Sequence, residues 1–387
     1  MVPREAVIVD AVRTPVGRRG GQLADWHPAD LLAHTLRTLV DRSGVDQTAL
    51  DDVITGCALQ VGEQAGNIAR WASLGAGLPE GLPATTIDRQ CGSGQQSVHF
   101  AAQAIRSGEY DFAIGAGVES MSRVDLGPLF NPGGGLGPWY GTKALARYDG
   151  NIHAQGPSAE MIVEKWGFTR EELDAFSAES HRRAHAATEA GHFADQLVPL
   201  EGRDGPMTRD EGIREHVDLE KMAALRPAFG PGGALTGGNS SQISDGAAAV
   251  LVAERAAAEA AGLRPRAVIR AMAAAADDPA LQFTAILPAA RKALDAAGLG
   301  IDDIDRIEVN EAFSPVPLLF AREFGIGTDR LNVNGGSIAI GHPLGSTGSR
   351  MLTDLLNELE RSGRRYGLLT ICEGGGMANA TIIERIS

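Results

Sequence analysis

The two ends of the chain carry one pattern of residues twice, at a spacing of 254 positions, which is the distance from Gly44 to Gly298. The segment around each of these glycines reads as a helix, a glycine stop, an acidic turn and a short apolar strand. The same spacing places Gly94 on Gly348, each just ahead of a helical apolar pattern. Alternating strands and helices predict an α/β fold in which helices cover a mostly parallel sheet. Two such halves should form a pseudo-twofold pair with one active site between them.

Composition restricts the classes of protein and partner. A chain of 387 residues that is 43% hydrophobic can bury a sizeable core, and its net charge of -14 argues against nucleic acid or an anionic membrane surface as the main partner. The apolar run at residues 6–9 is too short for a signal peptide, and no run approaches the roughly 18 residues of a membrane span. The 3 cysteines lack metal-ligand spacing, which predicts free thiols in a reducing cytoplasm and no metal site.

Residues 120–241 belong to neither copy of the repeat. They include a glycine- and proline-rich stretch at 127–141 and a helical pattern from Thr169 to Ala190. Thr169, with Glu172 three residues later, predicts a capping box at the start of that helix. We interpret this part of the chain as an inserted loop subdomain that shapes a substrate cleft. The predicted division is an N-terminal half of residues 1–119 plus 242–265, the inserted subdomain of residues 120–241, and a C-terminal half of residues 266–387.

A cysteine stands where a strand-like segment meets a helical pattern. The sequence Gln-Cys-Gly-Ser-Gly at residues 90–94 follows the strand-like residues 84–88 and precedes a helix that continues through Ile105. Backbone N–H groups at a helix N-terminus favour a thiolate, so the pKa of Cys91 is expected to be lowered and its nucleophilicity raised. The glycines allow the backbone to approach a substrate closely. The alternative for a lone Cys-Gly is a buried structural cysteine.

Three more motifs fall at the corresponding edge of the second half. Residues 334–348 surround His342 with glycines and a proline, which should expose the imidazole at the same edge as Cys91. Cys372 ends an apolar strand and starts a Cys-Glu-Gly-Gly-Gly segment, which implies either φ > 0 or a nest of backbone N–H groups. Asn310 begins an Asn-Glu-Ala-Phe segment after another strand. Considered one at a time, His342 reads as a structural histidine, the Cys372 segment as the end of a strand and the Asn310 segment as an ordinary helix start.

Together and in this order, the four motifs resemble those of the thiolase family. The likeness covers the whole chain, from Arg-Thr-Pro-Val-Gly at residues 13–17 to Thr-Ile-Ile-Glu at residues 381–384. His342 within its glycines and the Cys-x-Gly-Gly-Gly segment are its most specific parts. The resemblance implies duplicated βαβαβαββ halves that form a five-layered αβαβα core with an inserted loop subdomain.

The resemblance also implies a role for each residue. Cys91 would take the acyl group as a thioester, His342 would activate it as a base, and Cys372 would move a proton at the α-carbon of acetyl-CoA. Asn310 and His342 would form one oxyanion hole, and the backbone N–H groups of Cys91 and Gly374 would form the other. These roles meet the needs of a Claisen condensation, namely a covalent acyl carrier, a base at the α-carbon and stabilisation of two oxyanions.

Coenzyme A or an acyl-CoA is expected as a substrate, with no permanently bound cofactor, and should lie against the inserted subdomain. Gln155 departs from the family pattern, because short-chain biosynthetic thiolases carry His-Met-Gly where this chain has Ala-Gln-Gly. An amide in place of a thioether should leave the acyl pocket wetter and wider. The other positions at which the resemblance implies contact with coenzyme A are Arg214, Ala228, Phe229, Ser241, Ala312 and Phe313, with Arg226 as an additional basic candidate.

The implied function is reversible, CoA-dependent cleavage of a 3-ketoacyl-CoA to acetyl-CoA and a shortened acyl-CoA, or the reverse condensation of acetyl-CoA. The enzyme would be an acetyl-CoA C-acyltransferase or C-acetyltransferase, with fatty acid β-oxidation as one setting. The alternatives are another condensing enzyme of this fold and a non-catalytic, thiolase-like protein that binds acyl-CoA or lipid. A cytoplasmic homodimer or homotetramer is expected, and residues 133–148, where family members assemble tetramers, are too divergent to decide between them.

Overall fold

The computed structural model describes residues 4–127 and 140–386. Its strands are β1 (Ala6–Arg13), β2 (Gly17–Arg18), β3 (Asp52–Gly56), β4 (Ala84–Ile87), β5 (Phe112–Ser120), β6 (Leu200–Gly202), β7 (Gly205–Met207), β8 (Ser244–Glu254), β9 (Ala267–Ala276), β10 (Arg306–Val309), β11 (Tyr366–Glu373) and β12 (Met377–Arg385). Its α-helices are α1 (Pro28–Ser43), α2 (Ile68–Gly75), α3 (Ser93–Ser107), α4 (Gly141–Arg147), α5 (Gln155–Trp166), α6 (Arg170–Glu189), α7 (Leu219–Ala223), α8 (Arg255–Ala260), α9 (Ile286–Ala297), α10 (Pro315–Phe324), α11 (Ser337–Ile340) and α12 (Leu344–Ser362). Short 3₁₀ turns lie at Gln47–Ala49, Gly62–Gln64, Phe283–Ala285 and Ile301–Asp303.

The strands form two units, and four strands of the first unit have the same topology as the four strands of the second. The strand order is β4-β3-β5-β8-β1 in the first unit and β10-β11-β12-β9 in the second. β3 is parallel to β5 as β10 is parallel to β11, and β8 and β12 are each antiparallel to both of their main neighbours. The helices before β3 and β10 both end at a left-handed glycine, Gly44 with φ 71° and Gly298 with φ 68°. The repeat seen in the sequence is therefore a repeat of the fold, and the α/β class is confirmed.

The sheet is mixed, and the expectation of a mostly parallel sheet is wrong. The reason is the last strand of each half, which returns between two earlier strands and runs against both of them. β11 and β12 are connected by a turn at residues 374–376, a length that only an antiparallel pair permits. Strand pairing joins the two units at two residue pairs of β1 and β9, Val7 with Val268 and Ile8 with Ala267.

Buried apolar side chains form three main layers. These layers show the order in which the helices and sheets pack on one another. Leu36 of α1 belongs to the cluster between α1, α2 and the first unit of strands. Phe320 of α10 belongs to the cluster between α9, α10 and the second unit. Val98 of α3 and Leu355 of α12 belong to a central cluster that receives residues from both units. The layers thus follow the order helix, sheet, helix, sheet, helix, with α3 and α12 in the middle.

The two central helices begin almost in contact. A Cβ atom added to Gly94 would lie 2.6 Å from the carbonyl oxygen of Gly345, and one added to Gly348 would lie 2.1 Å from the backbone nitrogen of Gln95. Real Cβ atoms do not come so close to backbone, so the paired glycines are required by this approach. The approach brings the start of α3, which follows Cys91, beside the start of α12, which follows His342.

The chain between β5 and β8 carries the short β6–β7 hairpin and helices α4 to α7. The predicted capping box is confirmed, because the Thr169 hydroxyl accepts a hydrogen bond from the backbone of Glu172 while the Glu172 carboxylate accepts one from the backbone of Thr169. Most of the glycine-rich stretch at 127–141, and residues 133–139 of the segment 133–148, lie outside the described residues. Among the helices that are described, none is long and apolar enough to cross a membrane.

Substituting Gly348 with Ala should destabilise the fold, because the new methyl group would collide with the backbone of α3 and separate the two central helices. Overpacking of this kind costs roughly 1–3 kcal/mol. The measurement is the thermal unfolding midpoint of Gly348→Ala beside that of Gly81→Ala, since a Cβ at Gly81 meets no atom within 4 Å. Equal midpoints for the two variants would show that the helices do not need this approach.

Candidate active site

Cys91 stands on a strained turn between β4 and α3. The residue before it, Gln90, has φ 50°, a left-handed conformation that is uncommon for a residue other than glycine. Two side chains stabilise the turn: an oxygen of Asp88 accepts a hydrogen bond from the backbone N–H of Gln90 at 2.6 Å, and the hydroxyl of Ser93 donates to its carbonyl at 2.6 Å. The turn holds the Cys91 side chain at the helix start, where only 3% of the residue is exposed.

The electrostatic surroundings of Cys91 contradict the expected fall of its pKa. Burial raises the pKa of Cys91 to about 12, a hydrogen bond from Gln155 opposes this rise, and the nearby carboxyl groups of Glu373 and Glu119 add to it. The amide nitrogen of Gln155 lies 4.0 Å from the sulfur. Burial between the two halves therefore outweighs the helix start, and the thiol is neutral in the free protein at neutral pH.

His342 is held in one tautomer. The Thr347 hydroxyl lies 2.7 Å from Nδ1 of His342 and 2.8 Å from the carbonyl oxygen of Pro343. The single hydroxyl proton goes to the carbonyl, so the hydroxyl accepts a hydrogen bond from Nδ1–H, and Nε2 keeps its lone pair. Burial, followed by the charge of Arg350, lowers the pKa of His342 to about 3. The imidazole is thus neutral, with Nε2 available as a base.

Asn310 connects His342 to the second cysteine. Its Nδ2 lies 3.4 Å from Nε2 of His342, while its Oδ1 accepts a hydrogen bond from the hydroxyl of Ser337 at 2.6 Å. Burial raises the pKa of Cys372 well above that of a free thiol, the proximity of Cys91 raises it further, and a hydrogen bond from Asn310 acts in the opposite direction. The structure therefore brings two thiols, a carboxamide and a neutral imidazole together in one buried group.

The glycine turn after Cys372 lies against the turn that carries Cys91. A Cβ atom at Gly374 would lie 3.0 Å from the side-chain oxygen of Gln90. The backbone N–H of Gly375 donates to Oε1 of Gln282 at 3.1 Å, and the amide of Gln282 donates to the hydroxyl of Ser158 in α5. Gly374 thus lies against the turn that carries Cys91, and hydrogen bonds through Gln282 connect the glycine turn to the segment that carries Gln155.

Five of the positions predicted to contact coenzyme A lie close to one another. The backbone N–H of Ser241 donates to the carbonyl of Ala312 at 3.0 Å. The rings of Phe229 and Phe313 meet edge to face with centroids 5.5 Å apart, and Phe229 also lies against Gly156, the neighbour of Gln155. The exposed Ala228 adjoins this pair in the sequence. These residues form a partly exposed apolar wall next to the buried group.

Arg214 stands apart from this wall. Its backbone N–H donates to Nδ1 of His181 in α6 at 3.2 Å, and its side chain is exposed. Arg226 is also exposed. Both guanidinium groups are therefore free to meet an anionic ligand from solvent, but the wall itself contains neither of them.

Three residues that position the group were missed in the sequence. Thr347 fixes the tautomer of His342, and Ser337 with the buried Arg350 fixes Asn310. Thr347 is five residues after the histidine, on the first turn of the helix that follows it, and that spacing is a signal that could have been used. Ser337 and Arg350 gave no such signal, because their contacts are made only after α11 and α12 fold together.

Glu373 is a fourth residue that the sequence did not single out. Its carboxyl group lies over Gly92, where a Cβ atom would be 1.8 Å from one of its oxygens. Neither oxygen has a hydrogen-bond partner among the described residues. Burial raises the pKa of Glu373 to about 9, so the group is neutral at neutral pH. Among the described residues, no cluster of three or more His, Cys, Asp or Glu side chains is arranged to hold a metal ion.

Known proteins match the chain along its whole length. The family model described as the N-terminal domain of thiolase matches residues 6–256, and the model for the C-terminal domain of thiolase matches residues 263–385. The chain is 50% identical to the steroid 3-ketoacyl-CoA thiolase FadA6 of Mycobacterium tuberculosis, over 100% of this chain and 95% of that protein. It is 43% identical to a 3-ketoacyl-CoA thiolase of Serratia proteamaculans, over 98% and 99% of the two chains. The protein belongs to the thiolase family.

Replacing Thr347 with Val should impair thiolase activity while leaving the shape of the site intact. Without the hydroxyl, Nδ1 of His342 loses its acceptor and the imidazole can take the tautomer that carries a proton on Nε2. Because base catalysis is typically worth about 10²–10⁴ in rate, a loss of at least tenfold in kcat is expected. Thr347→Ser keeps the hydroxyl and should retain most of the activity. If Thr347→Val matches Thr347→Ser in steady-state thiolysis, the hydroxyl does not control His342.

Proposed function

We propose that this thiolase cleaves 3-ketoacyl-CoA with free coenzyme A, giving acetyl-CoA and a shortened acyl-CoA. The observation that carries the proposal is the buried pair of thiols, Cys91 and Cys372, beside the neutral His342. The similar proteins named 3-ketoacyl-CoA thiolase favour acyl transfer over acetyl transfer as the finer activity. On this reading the enzyme is an acetyl-CoA C-acyltransferase that works in acyl-chain degradation such as fatty acid β-oxidation.

In the first half of the reaction, Nε2 of His342 takes the proton of Cys91, and the thiolate attacks the 3-keto carbon of the substrate. The bond between the second and third carbons then breaks, and Cys372 gives its proton to the second carbon. Acetyl-CoA leaves, and the shortened acyl group stays on Cys91 as a thioester. Because all three groups are neutral beforehand, the charges arise only when substrate has displaced water from the site.

In the second half, the Cys372 thiolate takes the proton of the incoming coenzyme A thiol. The coenzyme A sulfur attacks the thioester, and the shortened acyl-CoA leaves. His342 then returns its proton to the Cys91 thiolate, which restores the starting state. We assign Nδ2 of Asn310 and His342 to one oxyanion and the backbone N–H groups of Cys91 and Gly374 to the other, since preorganised donors of this kind stabilise such charges.

Coenzyme A would lie along the apolar wall defined above. The pantetheine chain suits Phe229, Ala312 and Phe313, while the exposed Arg214 and Arg226 are available to the phosphate groups from solvent.

We also propose that the chain is divided into the two halves and the inserted subdomain defined by the sequence, and that it works as a cytoplasmic homodimer or homotetramer. The duplicated topology supports the division into halves, and the free thiols Cys57, Cys91 and Cys372 support a reducing compartment. Light scattering of the purified protein would measure the oligomeric state directly.

Incubation with acetyl-CoA, followed by acid quench and peptide mass spectrometry, should find an acyl adduct on Cys91. Cys372→Ala should still form this adduct, yet lose carbon–carbon bond cleavage by several orders of magnitude, because it retains the nucleophile and lacks the proton donor. Cys57→Ala serves as the matched control, since it removes another buried free thiol and should keep both activities. An adduct only on Cys372, or a Cys372→Ala variant with more than about a tenth of wild-type thiolysis, would contradict these roles.

The acyl pocket should favour chains longer or bulkier than acetoacetyl-CoA. The amide of Gln155 points at the sulfur of Cys91, so it borders the acyl group, and one relative is named for a steroid substrate. A methylene in an apolar pocket is worth about 1–3 kcal/mol, so the preference should be graded. Thiolysis rates across a ladder of 3-ketoacyl-CoA lengths, including a steroid side-chain substrate, measure it. We expect Gln155→Met to shift the profile towards short chains; a tenfold wild-type preference for acetoacetyl-CoA and an unchanged variant profile would refute this.

A further inference from the structure

The carboxamide of Asn310 can serve the site in only one of its two orientations. Nε2 of His342 carries a lone pair, because Thr347 holds the proton on Nδ1. Nδ2 of Asn310 is a donor and lies 3.4 Å from that lone pair. A rotated carboxamide would put Oδ1 there, so two acceptors would face each other and the donor would be lost. Some group must therefore select the orientation.

The hydroxyl of Ser337 is placed to make this selection. It lies 2.6 Å from Oδ1 of Asn310 on one side and 2.9 Å from Nη2 of Arg350 on the other. A guanidinium group has only donors, so the Ser337 hydroxyl accepts a hydrogen bond from Arg350. The single proton of the hydroxyl is therefore donated to Oδ1 of Asn310. All three side chains are buried, with Ser337 and Asn310 at 0% exposure and Arg350 at 1%, so water cannot substitute for a missing partner.

Arg350 is itself fixed by a chain of buried ion pairs. Its Nη1 lies 2.7 Å from one oxygen of Asp354, and the other oxygen accepts hydrogen bonds from Arg13 at 2.9 Å and Gln196 at 2.7 Å. Arg13 is bound in turn by both oxygens of Asp210. Buried charges are tolerated only when paired in this way. The chain of pairs gives a role to the arginine of the Arg-Thr-Pro-Val-Gly motif, which the catalytic steps do not use.

We propose that Ser337 is a positioning residue that selects the orientation of Asn310, and that the ion pairs from Arg13 through Asp354 to Arg350 set the direction of its hydroxyl proton. This inference rests on the proposed role of Asn310 in stabilising an oxyanion. It goes beyond that role because it makes the reaction rate depend on the Ser337 hydroxyl, which touches neither the substrate nor a reacting atom. A purely structural role, at the start of the short helix α11, would instead affect folding and leave the rate of the folded protein unchanged.

The test is a double-mutant cycle of Ser337→Ala and Asn310→Ala, measured as steady-state thiolysis of a 3-ketoacyl-CoA. Ser73→Ala is the matched control, because it removes a buried hydroxyl that donates a hydrogen bond to the carbonyl of Ala69 within α2. We expect Asn310→Ala to lower kcat by about 10²–10³ and Ser337→Ala by about tenfold, with KM for both substrates within about twofold of wild type. The double variant should equal Asn310→Ala, since the hydroxyl acts only through that carboxamide.

Three results would overturn the inference. Ser337→Ala could retain the kcat of Ser73→Ala, its loss could add in full to that of Asn310→Ala, or it could fail to fold, which would give the hydroxyl a structural role. A wild-type protein without thiolysis on any 3-ketoacyl-CoA would instead refute the proposed function, so the two failures are distinguishable. Thermal midpoints of all four variants are recorded in parallel to separate loss of rate from loss of folded protein.

Discussion

The whole arrangement depends on the close approach of α3 and α12 at their N-terminal ends. Gly94 and Gly348 lack the Cβ atoms that would collide with the other helix and force the two helices apart. Each helix continues from a turn that carries one reactive side chain, so the distance between the helices sets the distance between the two halves of the site. The central apolar layer around these helices receives residues from both sheet units, and it therefore maintains that distance.

Burial between the two halves determines the charge state of the titratable groups in the site. The pKa of Cys91 is raised to about 12, the pKa of His342 is lowered to about 3, and Cys372 is shifted in the same sense as Cys91, so every one of these groups is neutral at neutral pH. Because these groups are neutral, no ion pair among them has to break when substrate enters. Arg350 is separated from Asn310 by the Ser337 hydroxyl, and it acts on the site through that hydrogen bond while Asp354 pairs with it.

The sequence predicted the features that depend on neighbouring residues or that repeat at a constant spacing. The spacing between the copies anticipated matching strands and helices, and Thr169 with Glu172 anticipated a helix start correctly. It did not predict the mixed sheet, because the position of the returning strands is decided by packing. It also gave the wrong direction for the pKa of Cys91, because a helix start is visible in the sequence whereas the depth of burial is set by the other half of the chain. The contact of Ser337 with Asn310 was missed for the same reason.

The duplicated fold places its reactive side chains unequally in the two copies. At the spacing of the repeat, Cys91 corresponds to Gly345 and Asn310 corresponds to Gly56. A Cβ at Gly345 would lie 2.5 Å from the backbone of β5, and one at Gly56 would lie 2.2 Å from the backbone at the start of α3. At these two positions main chain occupies the space that a reactive side chain would need, so the second copy of the buried group cannot form there. The first copy thus contributes Cys91 to the buried group, and the second copy contributes Asn310, His342 and Cys372.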